Sequence, residues 1–512
     1  MREGRFAGGA PFRVVRLSER GVGELDAVLG TAGPLVEGTS GAALITKLNG
    51  YGLVLAPARP PVATTDVTVV IPALSTAPAV REVLDRIPAG VAVVVVDDGS
   101  DPALEPGLDR TSPTARAGLR VVRHPTPRGP AAARNAGVRQ ADTRWVVFLD
   151  ADVLPDRDWL GILRAHAQDA GVVAVAPRVV SLPQPGGAAL MERWSGALDL
   201  GATPSDVGPG RPVSYVPTAV LMVDRAVFDQ VGGFDEELHI GEDVDLVWRM
   251  GRVGRVRYEP DVICRHRPRR TLAAVVRRRF DYGTSAAALE RRHPGTLRHA
   301  DVSIWSFAPW LLGVVVHPVA GLVAAAGTAA IAPWGLREIP PRDAVQLAVR
   351  GHLLASAGLG RYLVRPLWPV TLAVAVARPG RRKVLAAAVL VGTADMVRRW
   401  VAVDRLDSAG LAAAGQVVAA SVLDDAAYSL GVWAGCRRAR NWKALLPRVR
   451  DLPDLRSWTS GWARGSAWAR DSAWARGSAW ARGSAWARGS AWARGSVSGF
   501  DPAPGSSRET KS

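Results

Sequence analysis

Two acidic clusters, each placed directly after an apolar run, are the residues of this chain best suited to chemistry. Val93 to Val96 leads into Asp97-Asp98-Gly99-Ser100, and Trp145 to Leu149 leads into Asp150-Ala151-Asp152. Two carboxylates at the end of a buried strand repel unless something there donates hydrogen bonds or charge. A nucleotide base and ribose do so, although Asp-Asp-Gly-Ser is equally good plain turn chemistry. In extended chain residues i and i+2 point the same way, so Asp150 and Asp152 face one spot. Mg²⁺ and Mn²⁺ take carboxylate oxygens from one or two residues and fill the rest of their shell with phosphate oxygens and water. An Asp-x-Asp at a strand end is therefore a suitable holder for a metal–diphosphate. Between the clusters, Arg128-Gly129-Pro130 opens a small-residue helix carrying Arg134, which can reach a phosphate or a base edge, and a helix N-terminus favours anions. Further on, Gly241-Glu242-Asp243 starts an amphipathic helix with Val244, Leu246, Val247 and Met250 on one side. Acids are favourable in any first helical turn, so composition alone does not make these catalytic. His266 follows a strand-like Val262 to Cys264 inside the basic stretch Arg265-His266-Arg267-Pro268, where a histidine is otherwise an ordinary surface residue.

The elements that must position these side chains are legible in the apolar pattern. Val67 to Ile71, Val91 to Val96, Trp145 to Leu149 and, more weakly, Leu119 to Val122 are apolar on nearly every residue instead of alternating. Such runs imply strands covered on both faces in a mostly parallel sheet. Helices are expected between them, over Ala79 to Ile87 and Ala131 to Gln140. The fold class is then α/β and doubly wound, with ligands bound at the carboxyl ends of the strands.

In order and content these motifs resemble the inverting glycosyltransferases of family 2, which have the GT-A fold. The resemblance spans roughly residues 66–290. It rests on Val-Ile-Pro at Val70 to Pro72, Val-Asp-Asp-Gly-Ser at Val96 to Ser100, Ala-Arg-Asn-Ala-Gly at Ala133 to Gly137 and Phe-Leu-Asp-Ala-Asp at Phe148 to Asp152. Gly-Gly-Phe-Asp-Glu and Gly-Glu-Asp-Val-Asp-Leu, between Gly232 and Leu246, complete it. The resemblance implies that Pro72, Asp97, Asp98, Arg134 and Asp150 bind a nucleotide-sugar, with Asp98 and Asp97 on uracil and ribose. It implies that Asp152, Asp150 and His266 hold a divalent metal, Mg²⁺ or Mn²⁺. Asp243 is the expected base that deprotonates the acceptor hydroxyl, supported by Glu242 and Asp245. Where processive polymer synthases of the family carry Gln-x-x-Arg-Trp, this chain has Arg277-Arg278-Arg279-Phe280, so a long extruded polymer is not expected. A narrower resemblance, to the glycosyltransferases of mycofactocin systems, rests on Arg278 to Ala287 and on Arg292-His293-Pro294-Gly295. It implies glucose transfer, from UDP-glucose, onto a small peptide-derived redox cofactor as a short β-linked chain. A polyprenyl-phosphate or cell-envelope glycan is the alternative acceptor.

Composition bounds the rest. The chain has 512 residues, 48% of them hydrophobic, and Lys+Arg 64 against Asp+Glu 47 gives a formal net charge of +17. The excess is arginine, since lysine occurs only at Lys47, Lys383, Lys443 and Lys511. Such charge suits polyanionic partners. A nucleic-acid-binding protein, however, would leave the ordered acidic motifs unexplained, so no nucleic acid is expected. Cys264 and Cys436 cannot build a disulfide framework, and there is no Cys-x-x-Cys zinc motif. No P-loop or dinucleotide fingerprint is present. The first residues have no apolar signal-peptide core, which places the expected enzyme at the cytoplasmic face of the membrane.

Five segments are expected. Residues 1–57 form a small winged-helix-like module with helices around Val22 to Leu29 and Ala42 to Leu48 and a strand at Leu53 to Leu55. A Pro-rich linker (58–65) joins it to the transferase domain (66–290). An apolar helical region follows (291–440). Trp305 to Pro333 lacks Asp, Glu, Lys and Arg and is long enough to span a bilayer, which takes about 20 apolar residues. It reads equally as a hairpin broken at Pro318. Leu367 to Ala377 and Val384 to Ala394 suggest helices packed together or lying on a membrane surface. Residues 441–512 form a basic tail in which Ser-Ala-Trp-Ala-Arg-Gly repeats through Trp462, Trp468, Trp474, Trp480, Trp486 and Trp492. A period of six collects the tryptophans on no helical face. Slippage of repetitive DNA and adhesion to anionic headgroups are the two readings of it.

Overall fold

A computed structural model of the chain describes residues 5–8, 13–30, 40–50, 60–104, 118–169, 171–297, 299–337, 339–403 and 410–451. The Trp/Arg repeats and the expected strand at 53–55 lie outside these residues. At the N-terminus β1 (Arg5–Gly8) and β2 (Arg13–Arg16) pair antiparallel ahead of α1 (Glu19–Gly30) and α2 (Ser40–Gly50). The two helices fall where their apolar spacing put them, with Leu25, Ile45 and Leu48 buried between them. The hairpin ahead of them has no comparable pattern in the sequence.

The central sheet is built from β3 (Val67–Ala73), β4 (Ala92–Asp97), β5 (Leu119–Arg123), β6 (Trp145–Leu149), β7 (Val153–Pro155), β8 (Val172–Ser181), β9 (Ser205–Val207), β10 (Val220–Asp224) and β11 (Arg255–His266). Among the described residues it has nine strands, in the order β5-β4-β3-β6-β10-β8-β11-β7 with β9 beside β11. β5, β4, β3 and β6 are mutually parallel, and β10 runs antiparallel to both β6 and β8. β11 is parallel to β8 and antiparallel to β7 and β9. Six strands thus share one direction and three oppose it, a mostly parallel sheet.

The unbroken apolar runs have a direct cause, because alternate residues of each strand feed different cores. Val67, Val69, Ile71, Val93 and Val95 pack with Val80 and Val83 of α3 (Ala77–Leu84) and with Leu160 and Leu163 of α5 (Trp159–His166). Val70, Val94, Val96 and Phe148 pack on the other face, against Ala133 of α4 (Pro130–Val138) and Leu246 and Met250 of α8 (Glu242–Val253). Each fully buried Val, Ile or Leu contributes about 1.5–3 kcal/mol, so a charge at Val70 or Val95 would abolish folding. The helices α6 (Gly187–Ser195) and α7 (Arg225–Gln230) complete the domain, with α9 (Leu272–Thr284) and α10 (Ala286–Arg292) following β11.

Beyond the sheet, β12 (Asp301–Ser303) leads into α11 (Ile304–Val315) and α12 (Pro318–Gly335). Then come α13 (Pro341–Val364), α14 (Trp368–Ala377), α15 (Arg382–Val403) and α16 (Gly410–Ala439). The apolar stretch is therefore a hairpin, broken at His317-Pro318. Among the described residues α12 alone is long and apolar enough to cross a membrane, and only 17% of it is buried. The expected tail begins too early, because Arg448–Arg450 (β13) pairs in parallel with β12, and Arg450 pairs with Asp301. Residues 441–451 thus belong to the folded body. α16 returns to the sheet domain and crosses α9 backbone to backbone, where a Cβ on Gly431 or Gly283 would strike the facing helix's main chain.

Candidate active site

The acidic motifs converge at the carboxyl ends of β3, β4 and β6. Asp97 ends β4 beside Ala73 of β3, with Pro72 one residue below on the same edge. Asp97 is fully buried, and its oxygens accept from the N–H groups of Ser100 (2.8 Å) and Leu104 (3.1 Å) and from Arg123. Burial pushes this carboxyl up, but those donors outweigh it and hold it below the ordinary carboxylate range. Asp98, also buried, accepts from the N–H of Arg128 (2.9 Å) and Gly129 (2.8 Å) and meets His124 Nδ1 at 2.7 Å. The repulsion between the two carboxylates is thus relieved by the protein itself. They shape the turn at β4 and the loop into α4, and Asp97 presents no surface to a ligand. Arg123 and His124, which the motif pattern did not single out, were signalled only by their position at the end of β5.

Arg134 differs from its expected part. It is buried on α4, and its Nη2 donates to Asp150 Oδ1 (2.7 Å) while Nη1 donates to Glu242 Oε1 (3.2 Å). One guanidinium therefore joins the Asp-x-Asp turn to the first turn of α8, instead of standing free for a phosphate. Burial raises the Asp150 carboxyl and Asp152 adds to this, against the pull of Arg134, so that Asp150 stands above its ordinary value. Asp152, two residues on, is exposed and lies 3.2 Å from Nε2 of His266 at the end of β11. Partial burial raises it, but the His266 hydrogen bond and charge outweigh that and hold it ionised.

Among the described residues no three His, Cys, Asp or Glu side chains form a ready-made metal cluster. Asp152 and His266 nevertheless make a donor pair that fits Mg²⁺ or Mn²⁺. Both ions bind few protein groups and complete their shells with phosphate and water, and an exposed, ionised carboxylate leaves room for that.

Asp243, the expected base, is half-buried in the first turn of α8. Burial, followed by the charge of Glu242, raises its carboxyl to about 7, against the Val244 N–H and the guanidiniums of Arg134 and Arg278. A carboxylate poised near neutrality suits a general base. Tyr215, which the sequence did not single out, and Arg278, which it marked without a role, are the further neighbours: the charge of Asp243 acts on both, and Arg278 stacks 4.7 Å from the Tyr282 ring centre.

Residues 68–213 match the profile of glycosyl transferase family 2, and residues 145–375 match that of glycosyl transferase family group 2. The chain belongs to glycosyl transferase family 2 and is a glycosyltransferase. It is 38% identical over 393 residues to the pre-mycofactocin glycosyltransferase of Mycobacterium tuberculosis, covering 75% of this chain and 82% of that one. It is 34% identical over 215 residues to the succinoglycan biosynthesis protein ExoO of Rhizobium meliloti, covering 38% of this chain and 58% of that one. Among solved structures it is similar to the mannosyltransferase PcManGT from Pyrobaculum calidifontis, determined in complex with GDP-Man and Mn²⁺. That match has 22% identity and a TM-score of 0.37, over 74% of this chain and 98% of that one.

Proposed function

We propose that this enzyme transfers a sugar, glucose from UDP-glucose, with inversion to a hydroxyl of a small peptide-derived acceptor, the mycofactocin precursor, and extends it as a short β-linked chain. The half-buried Asp243 carboxylate, raised to about 7 beside Glu242, is the observation that carries the catalytic part. The acceptor follows from the 38% identity to a pre-mycofactocin glycosyltransferase. Asp243 accepts the proton of the acceptor hydroxyl as its oxygen bonds to the anomeric carbon. The bond from that carbon to the diphosphate breaks on the opposite face, and its electron pair leaves with UDP. Arg134 joins Asp150 on the donor side to Glu242 on the base side. Asp152 and His266 would hold a divalent cation, which when bound supplies positive charge to the departing diphosphate.

The test is metal-dependent UDP release from a panel of UDP-sugars, with and without acceptor. A protein that neither binds nor hydrolyses any nucleotide-sugar is not the proposed transferase. A second reading, a polyprenyl-phosphate or envelope-glycan acceptor, is favoured by the exposed apolar side chains of α11 and α12, among them Val315, Val319, Leu322 and Val323. Turnover on a soluble phenolic or peptide acceptor without detergent excludes it. Under either reading the enzyme works at the cytoplasmic face of the membrane.

A further inference from the structure

The loop from Gly232 to Gly241 and the first turn of α8 deliver Asp243 to the site, and this segment is held from outside the catalytic motifs. Its glycine hinge is fixed by neighbours: Gly241 has φ +86°, and a Cβ there would come within 3.1 Å of Ser285, at the junction of α9 and α10. At the start of the segment, Arg292 Nε donates to Asp235 Oδ2 at 2.8 Å. At its end, the next residue, His293, lies 2.7 Å from Asp245 Oδ1 through Nε2 and is 2% exposed. Arg252 Nη2 stands 3.0 Å from His293 Nδ1. Arginine only donates, so Nδ1 accepts, and Nε2 carries the proton that His293 gives to Asp245. Arg249 grips the other oxygen of Asp245 (2.6 Å) while donating to the carbonyls of Val231 (2.6 Å) and Gly233 (2.8 Å).

We propose that Arg292 and His293 are positioning residues for the transfer reaction, a two-point clamp that fixes the base-bearing segment through Asp235 and Asp245. Asp245 lies in the same helical turn as Asp243, so a loosened Asp245 lets that turn rotate and carries the Asp243 carboxylate off the acceptor hydroxyl. The donor-side pair Asp152 and His266 meets outside this segment, and Arg134 ties Asp150 to Glu242 through contacts separate from Asp235 and Asp245. The clamp therefore acts on turnover and leaves donor affinity alone.

The proposal rests on Asp243 as the base. Its test compares His293→Phe, which keeps the ring volume packed against Trp248 but removes the donor, with His293→Gln, which restores an N–H toward Asp245. With the full-length enzyme, His293→Phe is expected to lower kcat about 30- to 100-fold, the scale of a 1 Å misplacement. KM for the UDP-sugar should stay within about twofold, and His293→Gln should recover most of the loss. Equal kcat in wild type and His293→Phe overturns the clamp, as does a proportional loss of donor binding that His293→Gln does not repair. Should His293→Phe not fold, Arg292→Lys must show the same kcat loss at unchanged KM, or the clamp fails. A wild-type enzyme that releases no UDP would instead count against the transferase reading itself.

Discussion

At the scale of single residues, the site turns on what burial does to charge. Asp243 is raised to about 7, first by burial and then by Glu242. A carboxyl below its pKa is protonated and accepts nothing, so kcat should rise with pH through about 7 and level off above it. Glu242→Gln removes one cause of the elevation and shifts that midpoint toward acid, which a pH–rate profile will reveal. Asp243→Asn should lower transfer by about 10³-fold or more, the upper range for a lost general base, while isothermal titration still detects UDP binding. Loss of UDP binding would show that the base has been misassigned. These residues were legible because the motifs fix residue type and order. The role of Arg134 was not, since its two partners lie 16 and 108 positions away and only the fold brings them together.

At the scale of elements, the C-terminal helices are attached to the catalytic domain through buried charge. Arg279 on α9 pairs with Asp424 on α16, and Arg361 on α13 binds Asp425. Breaking a buried pair by removing one partner costs about 3–5 kcal/mol. Arg279→Ala should therefore lower the melting temperature substantially, whereas an exposed change such as Arg277→Ala should leave it within about 1 °C, as surface substitutions do. Apolar runs announced α11, α12, α14 and α15, but not α13, α16 or the docking of any of them. A run of alanine and glycine is compatible with a membrane span, a hairpin or a tight helix crossing, and the choice depends on which surface it meets.

At the scale of the whole molecule, the +17 charge and the exposed apolar helices point the same way. α11 has 12 residues and α14 has 10, lengths of about 18 and 15 Å, short of the roughly 30 Å hydrocarbon core. Arg381, just beyond α14, donates to the carbonyl of Val314 at the end of α11 (3.2 Å), so a basic group marks that shared end. The protein is expected to cosediment with vesicles containing anionic phospholipid. High salt should weaken that binding without abolishing it, and Leu322→Glu with Val323→Glu should weaken it by roughly tenfold or more. Unchanged binding in the double variant would place the contact elsewhere on the surface.

Sequence alone determined β3 to β6 and their parallel sense, the acid-ended turns and the family, because two-faced burial and motif order are local properties written residue by residue. It also marked His293 without giving it a task. Tertiary structure decided which charges meet: Asp97 and Asp98 with the loop they hold, Arg134 between two acids, His293 behind Asp245, and residues 441–451 inside the folded body. An ion pair or a strand pairing depends on the distance between groups far apart along the chain. That distance is set by how the sheet and helices pack, which no local pattern records.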